Sequence, residues 1–446
     1  MEGEKVQLTI EFLRYVNYFL TLLFAVCYAC QFFYIPVSLF ETIKNKFSKK
    51  KEKNGDKKII EYTYAFLICA RNEELVIGNL IDSINHQNYP YKKIKVFVCA
   101  DHCDDRTAEI SRKRGAIVYE RYSDKHIGKG YALNFLLKQI QKDYPEGFDG
   151  YFVFDADNVI DSEYVKEMNI THNQGHSIIT CYRNSKNYGD SWTSAGNALW
   201  FLREAQYLNR PRYFLHTSCG VSGTGFMFDR RIAEQMDGYP FHLLTEDIEF
   251  TIHHICNGEK IAYCEKAIIY DEQPIKFTQS WIQRMRWTRG GLQVFMKYGT
   301  ALTKGIFRGN FSCFDMAMSV MPAFFISMAA IILNFLLSIV TAIAGDNVLL
   351  AVASLGETLA EGYATLLFMG FITVISEWKK IRTTGVKKLL YLFTFPIFVF
   401  TYIPIAVSSL FRTVTWKPIA HTVTTTAEDL ANDENFDANT NAKAQT

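Results

Sequence analysis

The chain has 446 residues, 49% of them hydrophobic, and its 48 Lys and Arg against 46 Asp and Glu leave a formal charge of +2. That balance gives no bulk case for nucleic acid as a partner. The length is too great for one ordinary core but enough for a globular domain plus membrane helices.

Mean hydropathy is near zero, an average over a mosaic. Apolar residues concentrate in Phe12–Phe40, Phe314–Ala344, Val348–Ser376 and Leu389–Phe411. Each run can cross hydrocarbon ~30 Å thick, which takes about 20 helical residues. The first is too long for a signal-peptide core and lacks a positive segment before it, so residues 1–43 are expected to be a retained anchor. Its leading flank holds Glu2, Glu4 and Glu11 against Lys5, and the segment Lys44 to Lys58 carries eight Lys. Positive flanks stay inside, which places the N-terminus outside and residue 41 onward in the cytoplasm of a multi-pass cell-membrane protein. Residues 44–58 read as a solvated basic linker that can also touch anionic membrane lipids.

Beyond the linker, strands and helices alternate. Tyr62–Ala70, Ile94–Ala100, Ile117–Glu120 and Gly150–Asp155 have strand character, and helices are expected at about Glu74–Asn85, Arg106–Arg114 and Gly130–Lys142. This spacing predicts an α/β domain with a mostly parallel sheet over residues 59–300. Ligands of such sheets collect at the C-terminal strand ends. Arg71-Asn72-Glu73, Asp101 with Asp104-Asp105, and Asp155-Ala156-Asp157 all fall there. The ten Cys are scattered. Cys99 and Cys103 flank His102 but lack further ligands at zinc-site spacing, and a cytoplasmic domain keeps thiols reduced.

Asp155-Ala156-Asp157 ends an apolar strand. Alternation puts both carboxylates on one side of the chain, and hard oxygen pairs suit Mg²⁺ or Mn²⁺ together with phosphate oxygens. A simple Asp-rich turn is the other reading. Lys129 lies in a Gly-flanked turn before a helix, where it can reach a pyrophosphate or remain a solvent lysine. Further on come Ser222-Gly223-Thr224-Gly225-Phe226, Thr245-Glu246-Asp247 and Gln283-Arg284-Met285-Arg286-Trp287. The glycines around Thr224 permit close approach of backbone to ligand, or a tight turn between strands. Thr245 can also cap a helix.

In this order the motifs resemble the membrane-embedded family 2 glycosyltransferases, which include cellulose synthase, hyaluronan synthase and poly-N-acetylglucosamine synthase. The resemblance covers about residues 60–300 and implies a GT-A-type domain inserted between transmembrane helices. It implies that Asn72 and Glu73 meet the nucleoside and that Asp101 meets the uracil of a UDP-sugar. Asp155 then contacts the donor, and Asp155 and Asp157 hold the metal. Gly223, Thr224 and Glu246 lie beside the acceptor, Asp247 is the general base, and Gln283, Arg284, Arg286 and Trp287 form a helix capping the site. The activity implied is inverting transfer, with N-acetylglucosamine or glucose favoured, onto a growing β-linked polysaccharide exported through the helices, where accessory export proteins could join. Addition of a single sugar to a membrane lipid is the nearest rival. A non-catalytic nucleotide sensor or transporter is the rival from another class, and it needs no base at Asp247.

Residues 301–411 then form a C-terminal membrane region of about three segments, and residues 412–446, Thr- and Asn-rich from His421, are expected to be mostly disordered. Glu357 and Glu361 share a helix face in the third apolar run, as channel-lining or packing groups. Counting crossings from a cytoplasmic domain puts the tail outside, unless Pro396 and Pro404 kink the last run or make it re-enter. The resemblance of Trp416-Lys417-Pro418 to a tryptophan motif of hyaluronan synthases puts it inside.

Overall fold

The computed structural model describes residues 2–48, 59–320, 329–330, 332–336, 339–340, 348–416, 418–419 and 421–430. The basic segment past Ser48, about half of the apolar run Phe314–Ala344, the side chain of Glu357 and residues 431–446 lie outside the described set.

Helix α1 (Glu2–Ser48) leads into a sheet of eight strands: β1 Tyr64–Ala70, β2 Ile94–Asp101, β3 Ile117–Arg121, β4 Gly150–Asp155, β5 Val159–Ile160, β6 Ile178–Ser185, β7 Phe226–Asp229 and β8 Ile261–Asp271. Their order is β3-β2-β1-β4-β7-β6-β8-β5. The first four in that order are parallel, as are β6 and β8. β7 runs antiparallel between β4 and β6, and β5 antiparallel on β8. β1 lies between β2 and β4 and is buried on both faces, which is why its sequence is an unbroken apolar run. Phe66, Ile68, Phe152 and Phe154 pack on one face, while Leu67, Phe97 and Val153 pack on the other, as a period of two requires. Cys69 stands opposite both Cys99 and Asp155, so the ends of β1, β2 and β4 are level and their polar residues share one edge.

The covering helices are α2 Ile77–Asn85, α3 Thr107–Lys113, α4 Lys129–Asp143, α5 Tyr164–Asn173, α6 Trp192–Glu204, α7 Arg210–Phe214, α8 Arg230–Met236, α9 Glu246–Cys256 and α10 Phe277–Phe307. α2 starts three residues later than the expected Glu74, because Asn72 takes a left-handed φ of 56° and its side chain accepts from Asp104 N (2.9 Å). That ties the loop after β1 to the loop after β2.

Among the described residues three helical stretches are long and apolar enough to span a membrane: Tyr18–Lys44, Leu359–Ser376 and Gly385–Phe411. α1 is fixed to the domain by a buried ion group. Tyr34 Oη donates to Asp315 Oδ2 (2.7 Å), and Arg212 binds both oxygens of Asp315 (2.7 and 2.9 Å). Asp315 lies on α11 (Phe311–Val320) and is fully buried, so loss of Arg212 would strand its charge.

The third stretch is broken, the kinked alternative that Pro396 and Pro404 offered. It is two helices, α13 (Gly385–Phe400) and α14 (Tyr402–Phe411), after α12 (Val348–Ser376). Both ends of the pair return to the α/β domain. At one end Lys387 Nζ donates to Gly189 O (2.8 Å). At the other the Trp416 ring lies 5.7 Å from the Arg71 guanidinium. Between them Phe398 covers Gly196 of α6 so closely that a Cβ there would fall 2.3 Å from its ring. The tail therefore lies on the domain's side, as the resemblance implied and the count of crossings did not. The expectation of disorder from His421 is corrected for residues 421–430. Glu272 accepts from Thr422 N and Val423 N (3.0 Å each), and Leu430 is buried beside Val159 and Tyr270.

Candidate active site

The level strand ends open into a cavity of about 1370 Å³ that runs from Arg71, Asp101 and Asp155 to α1, α12 and α13. At its strand-end side Lys129, the first residue of α4, donates to Asp155 Oδ1 (2.5 Å) and Gly223 O (2.7 Å), and stands 4.0 Å from Glu246. Burial would lower the Lys129 pKa, but Asp155 and Glu246 outweigh it and the net shift is upward. The lysine is thus a fixed cation joining three motifs.

Thr224 does something other than line the acceptor side. Its Oγ1 accepts from Asp155 N (2.9 Å) and bonds Asn158 Oδ1, whose amide donates to Asp271 Oδ1 (3.0 Å). Thr224 is buried and shapes the carboxylate turn. Asp157 points into the cleft, with Oδ2 accepting from Glu272 N (3.3 Å) and lying 3.8 Å from His421 Nε2. Asp101 lines the cavity but is already paired with Arg121. Asn72 holds its loop and does not reach the lining, whereas Glu73 does.

Asp247, in the first turn of α9, faces Gly223. A Cβ on Gly223 would lie 3.6 Å from Asp247 Oδ2, and the glycine's φ of 76° disfavours a side chain there. Burial raises the pKa of Glu246, assisted by the Asp247 charge, and burial also raises that of Asp247. Glu249, the neighbouring carboxylate, does not line the cavity. It is fully buried and accepts from His242 N and Leu243 N (2.9 Å each) and Lys297 Nζ (2.5 Å). Thr245 does not cap α9. Instead it packs against Gly290 of α10, where a Cβ would fall 2.5 Å from the threonine.

The five-residue motif on α10 divides by helical phase. Gln283, Arg286 and Trp287 line the cavity, as i, i+3 and i+4 neighbours must share a face. Arg284 points the other way. It is fully buried, donates to Phe398 O (3.1 Å) and Thr401 Oγ1 (2.8 Å), and stacks on the Phe398 ring at 4.2 Å. The expectation that Arg284 caps the site together with Gln283, Arg286 and Trp287 is therefore corrected: it clamps the α13–α14 break onto α10.

Three groups were missed from sequence. Asp271 and Glu272 end β8 just as Asp155 ends β4, an apolar strand running into carboxylates that could have been noticed. Asp271 is gripped by Arg183 Nε (2.8 Å), and burial lifts its pKa to about 6 despite that cation. Lys186, on the loop after β6, donates to Asp157 O. His421 carried no signal at all, since only the tail's path brings its Nδ1 to 3.0 Å from both Glu73 oxygens. Burial lowers the His421 pKa, but Asp157 and Glu73 raise it to about 10.

With this geometry in place, comparison with known proteins is decisive at the level of family. The family model described as "Glycosyltransferase like family 2" matches residues 62–290, just over half of the chain. The chain belongs to glycosyltransferase family 2. The glycosyltransferase is 24% identical over 251 residues to a β-monoglucosyldiacylglycerol synthase of Synechocystis, covering 55% of this chain and 51% of that protein. It is 23% identical over 252 residues to a poly-β-1,6-N-acetyl-D-glucosamine synthase of Staphylococcus aureus, covering 54% and 57%. The chain spans about half the length of these curated relatives. Among solved structures, the mannosyltransferase of Pyrobaculum calidifontis in complex with GDP-Man and Mn²⁺ superposes with a TM-score of 0.51 at 16% identity, over 87% of this chain and 99% of that one. That likeness is one of fold, and the α/β domain is of the GT-A type.

Proposed function

We propose that the glycosyltransferase is an inverting hexosyltransferase that takes a sugar from a UDP-sugar, N-acetylglucosamine or glucose, and adds it to a β-linked polysaccharide at the cytoplasmic membrane face. One observation carries this reading: Asp247 lies across Gly223 from Lys129 and the Asp155 turn, in a single cavity that continues to the membrane helices. The acceptor hydroxyl gives its proton to Asp247 and its oxygen bonds the anomeric carbon. The bond from that carbon to the diphosphate breaks on the opposite face, and UDP leaves with the electron pair. The raised Asp247 pKa makes it a stronger base than a free carboxylate once ionised. Lys129 and Arg286 supply fixed positive charge beside the departing diphosphate.

Asp155 and Asp157 fit a divalent cation by donor chemistry. They are hard oxygens opening onto the cavity. Among the described residues no three His, Cys, Asp or Glu side chains converge on a metal position, so Mn²⁺ or Mg²⁺ here would draw further oxygens from the donor's diphosphate. When bound, the ion would neutralise charge on the leaving group.

A second reading, addition of one sugar to a lipid, is favoured by the apolar far end of the cavity, lined by Leu20, Phe24, Leu359 and Met369, and by the relative named for glucosyldiacylglycerol. The test is UDP release by the purified, detergent-solubilised chain with UDP-N-acetylglucosamine, UDP-glucose and UDP-glucuronate in turn, with product sizing beside Asp247→Asn. High-molecular-weight product from one donor, absent in the variant, supports the polysaccharide reading. A singly glycosylated lipid moves it to the second reading, and no UDP release from any donor overturns both.

A further inference from the structure

The catalytic reading leaves one part of the cavity wall unused, the C-terminal turn of α6. Trp200, Arg203 and Glu204 all line the cavity there, opposite Gln283 and Trp287 of α10. Glu204 is joined to the reaction centre by a single residue step: its carboxylate accepts from Ser222 Oγ, and the next residue, Gly223, faces Asp247. The Arg203 guanidinium lies 5.2 Å from the Trp200 ring centroid and reaches Gln31 of α1 at 3.4 Å. Trp287 meets Phe201 edge-on, with ring centroids 5.8 Å apart. Gln283 lines the same cavity, and its Oε1, buried beside the wall, has no hydrogen-bond partner among the described residues. A small turn of the Gln283 side chain would bring that unsatisfied acceptor to a ligand's donor in the cavity. Immediately after Glu204 the helix widens into a π-turn over Ala205–Asn209, a distortion frequent at functional sites. Here it lets Gln206 O accept from Ser38 Oγ of α1 (2.8 Å).

A carboxylate, a guanidinium, an unfilled amide oxygen and two indoles next to a general base are a poor match for the single hydroxyl of a diacylglycerol. They match a pyranose, whose hydroxyls pair with Glu204, Arg203 and Gln283 while its apolar face rests on an indole. We infer that the C-terminal turn of α6, with Glu204 as its central recognition residue, forms the acceptor subsite, and that the acceptor presented to Asp247 ends in a sugar ring. This rests on the proposed sugar transfer and narrows it: the sugar is borne either by an oligosaccharide or by a glycolipid, not by a bare lipid alcohol.

The test uses the full chain in detergent with whichever donor it turns over, and three acceptors: a short oligosaccharide of the donor's own sugar, a glucosyldiacylglycerol, and diacylglycerol. The expected result is transfer to one or both sugar-ended acceptors and none to diacylglycerol. Glu204→Gln is expected to raise the acceptor KM about tenfold or more, with the donor KM moving less than about twofold. Trp200→Leu, which leaves the Ser222 bond in place, is the second variant should Glu204→Gln fail to fold, and it should move the same constant in the same direction. Transfer to diacylglycerol with kcat/KM equal to or above that of the sugar-ended acceptors overturns the inference. So does a fall in kcat at unchanged acceptor KM in both variants. UDP release with no sugar-ended acceptor used overturns the inference while the donor reading stands. No UDP release from any donor removes the donor reading, and the inference with it.

Discussion

The strand-end half of the cavity, the donor half of our proposal, and its helical half, which faces the candidate membrane helices, are built differently. The donor half is a set of strand ends. Asp155 and Asp157, Asp101 and Glu73 end or follow apolar strands whose register makes their ends level, and Asp271 ends the apolar strand β8. The helical half is a set of helix faces from α1, α6, α10, α12 and α13, drawn from across the whole chain. A strand end delivers its residue wherever the sheet forms. A helix face delivers one only if the helix is held at the right rotation by partners elsewhere. The two halves should therefore fail differently, the first in chemistry and the second in folding or acceptor use.

The largest effect is expected at the meeting point of the halves. Asp247→Asn should lower kcat by about 10³-fold or more, with donor binding retained, measured as initial-rate transfer beside UDP binding by calorimetry. Loss of donor binding as well would mean that the two halves are not separable there. Next, Asp157→Asn should weaken Mn²⁺ binding at least about tenfold, read by Mn²⁺ electron paramagnetic resonance in the presence of UDP. An unchanged titration would take the metal away from the β4 end.

On the helical side, Arg284→Ala should destabilise the protein by about 2–4 kcal/mol. It strips a charge-assisted donor from Phe398 O and empties the space between α10 and the α13–α14 break. Thermal unfolding should show it, with the kcat of the surviving folded fraction little altered. A raised acceptor KM without a stability change would return Arg284 to the cavity. His421→Ala bears on the tail, which crosses from the helical half to the donor half. It should change the donor KM by about three- to tenfold, since it frees Glu73, which lines the donor end. An unaltered donor KM would leave the tail a bystander.

The smallest effect concerns pH. Burial raises the pKa of both Glu246 and Asp247 above ordinary carboxylate values, so the folded chain holds a proton there that the unfolded chain has released. Stability from this pair is therefore greatest at low pH and falls as pH rises through the window between the unfolded and the raised values. Glu246→Gln removes one charge of the pair. It should raise Tm by about 2–4 °C at pH 8 and by less at pH 5. It should also shift the rising limb of the kcat/KM profile to lower pH, because Asp247 then loses its proton more easily.

Much of this was legible in sequence, and particular residues show why. The strands around Phe66 and Phe152, the Asp155–Asp157 pair and the phase of Gln283, Arg286 and Trp287 follow from period-2 and period-3.6 rules that act within a few residues. The same helical rule, applied to Arg284, already turns it away from its neighbours, although the motif's order invited treating all of them alike. Thr224 was misread because the same small polar side chain suits a ligand contact and a turn brace, and only its bonds to Asp155 N and Asn158 decide between them.

By itself the sequence determined the family, the α/β sheet and the cluster of carboxylates at its strand ends, since local periodicity and strand-end chemistry need no knowledge of distant partners. The tertiary structure alone decided three things. The stretch Gly385–Phe411 breaks and returns to the domain, His421 enters the donor end, and Glu204 faces the same cavity as Asp247. Each depends on contacts between segments far apart in the chain, where burial and hydrogen bonding fix a helix's rotation or a tail's path, and apart from Pro396 and Pro404 in the last run no local pattern records the outcome.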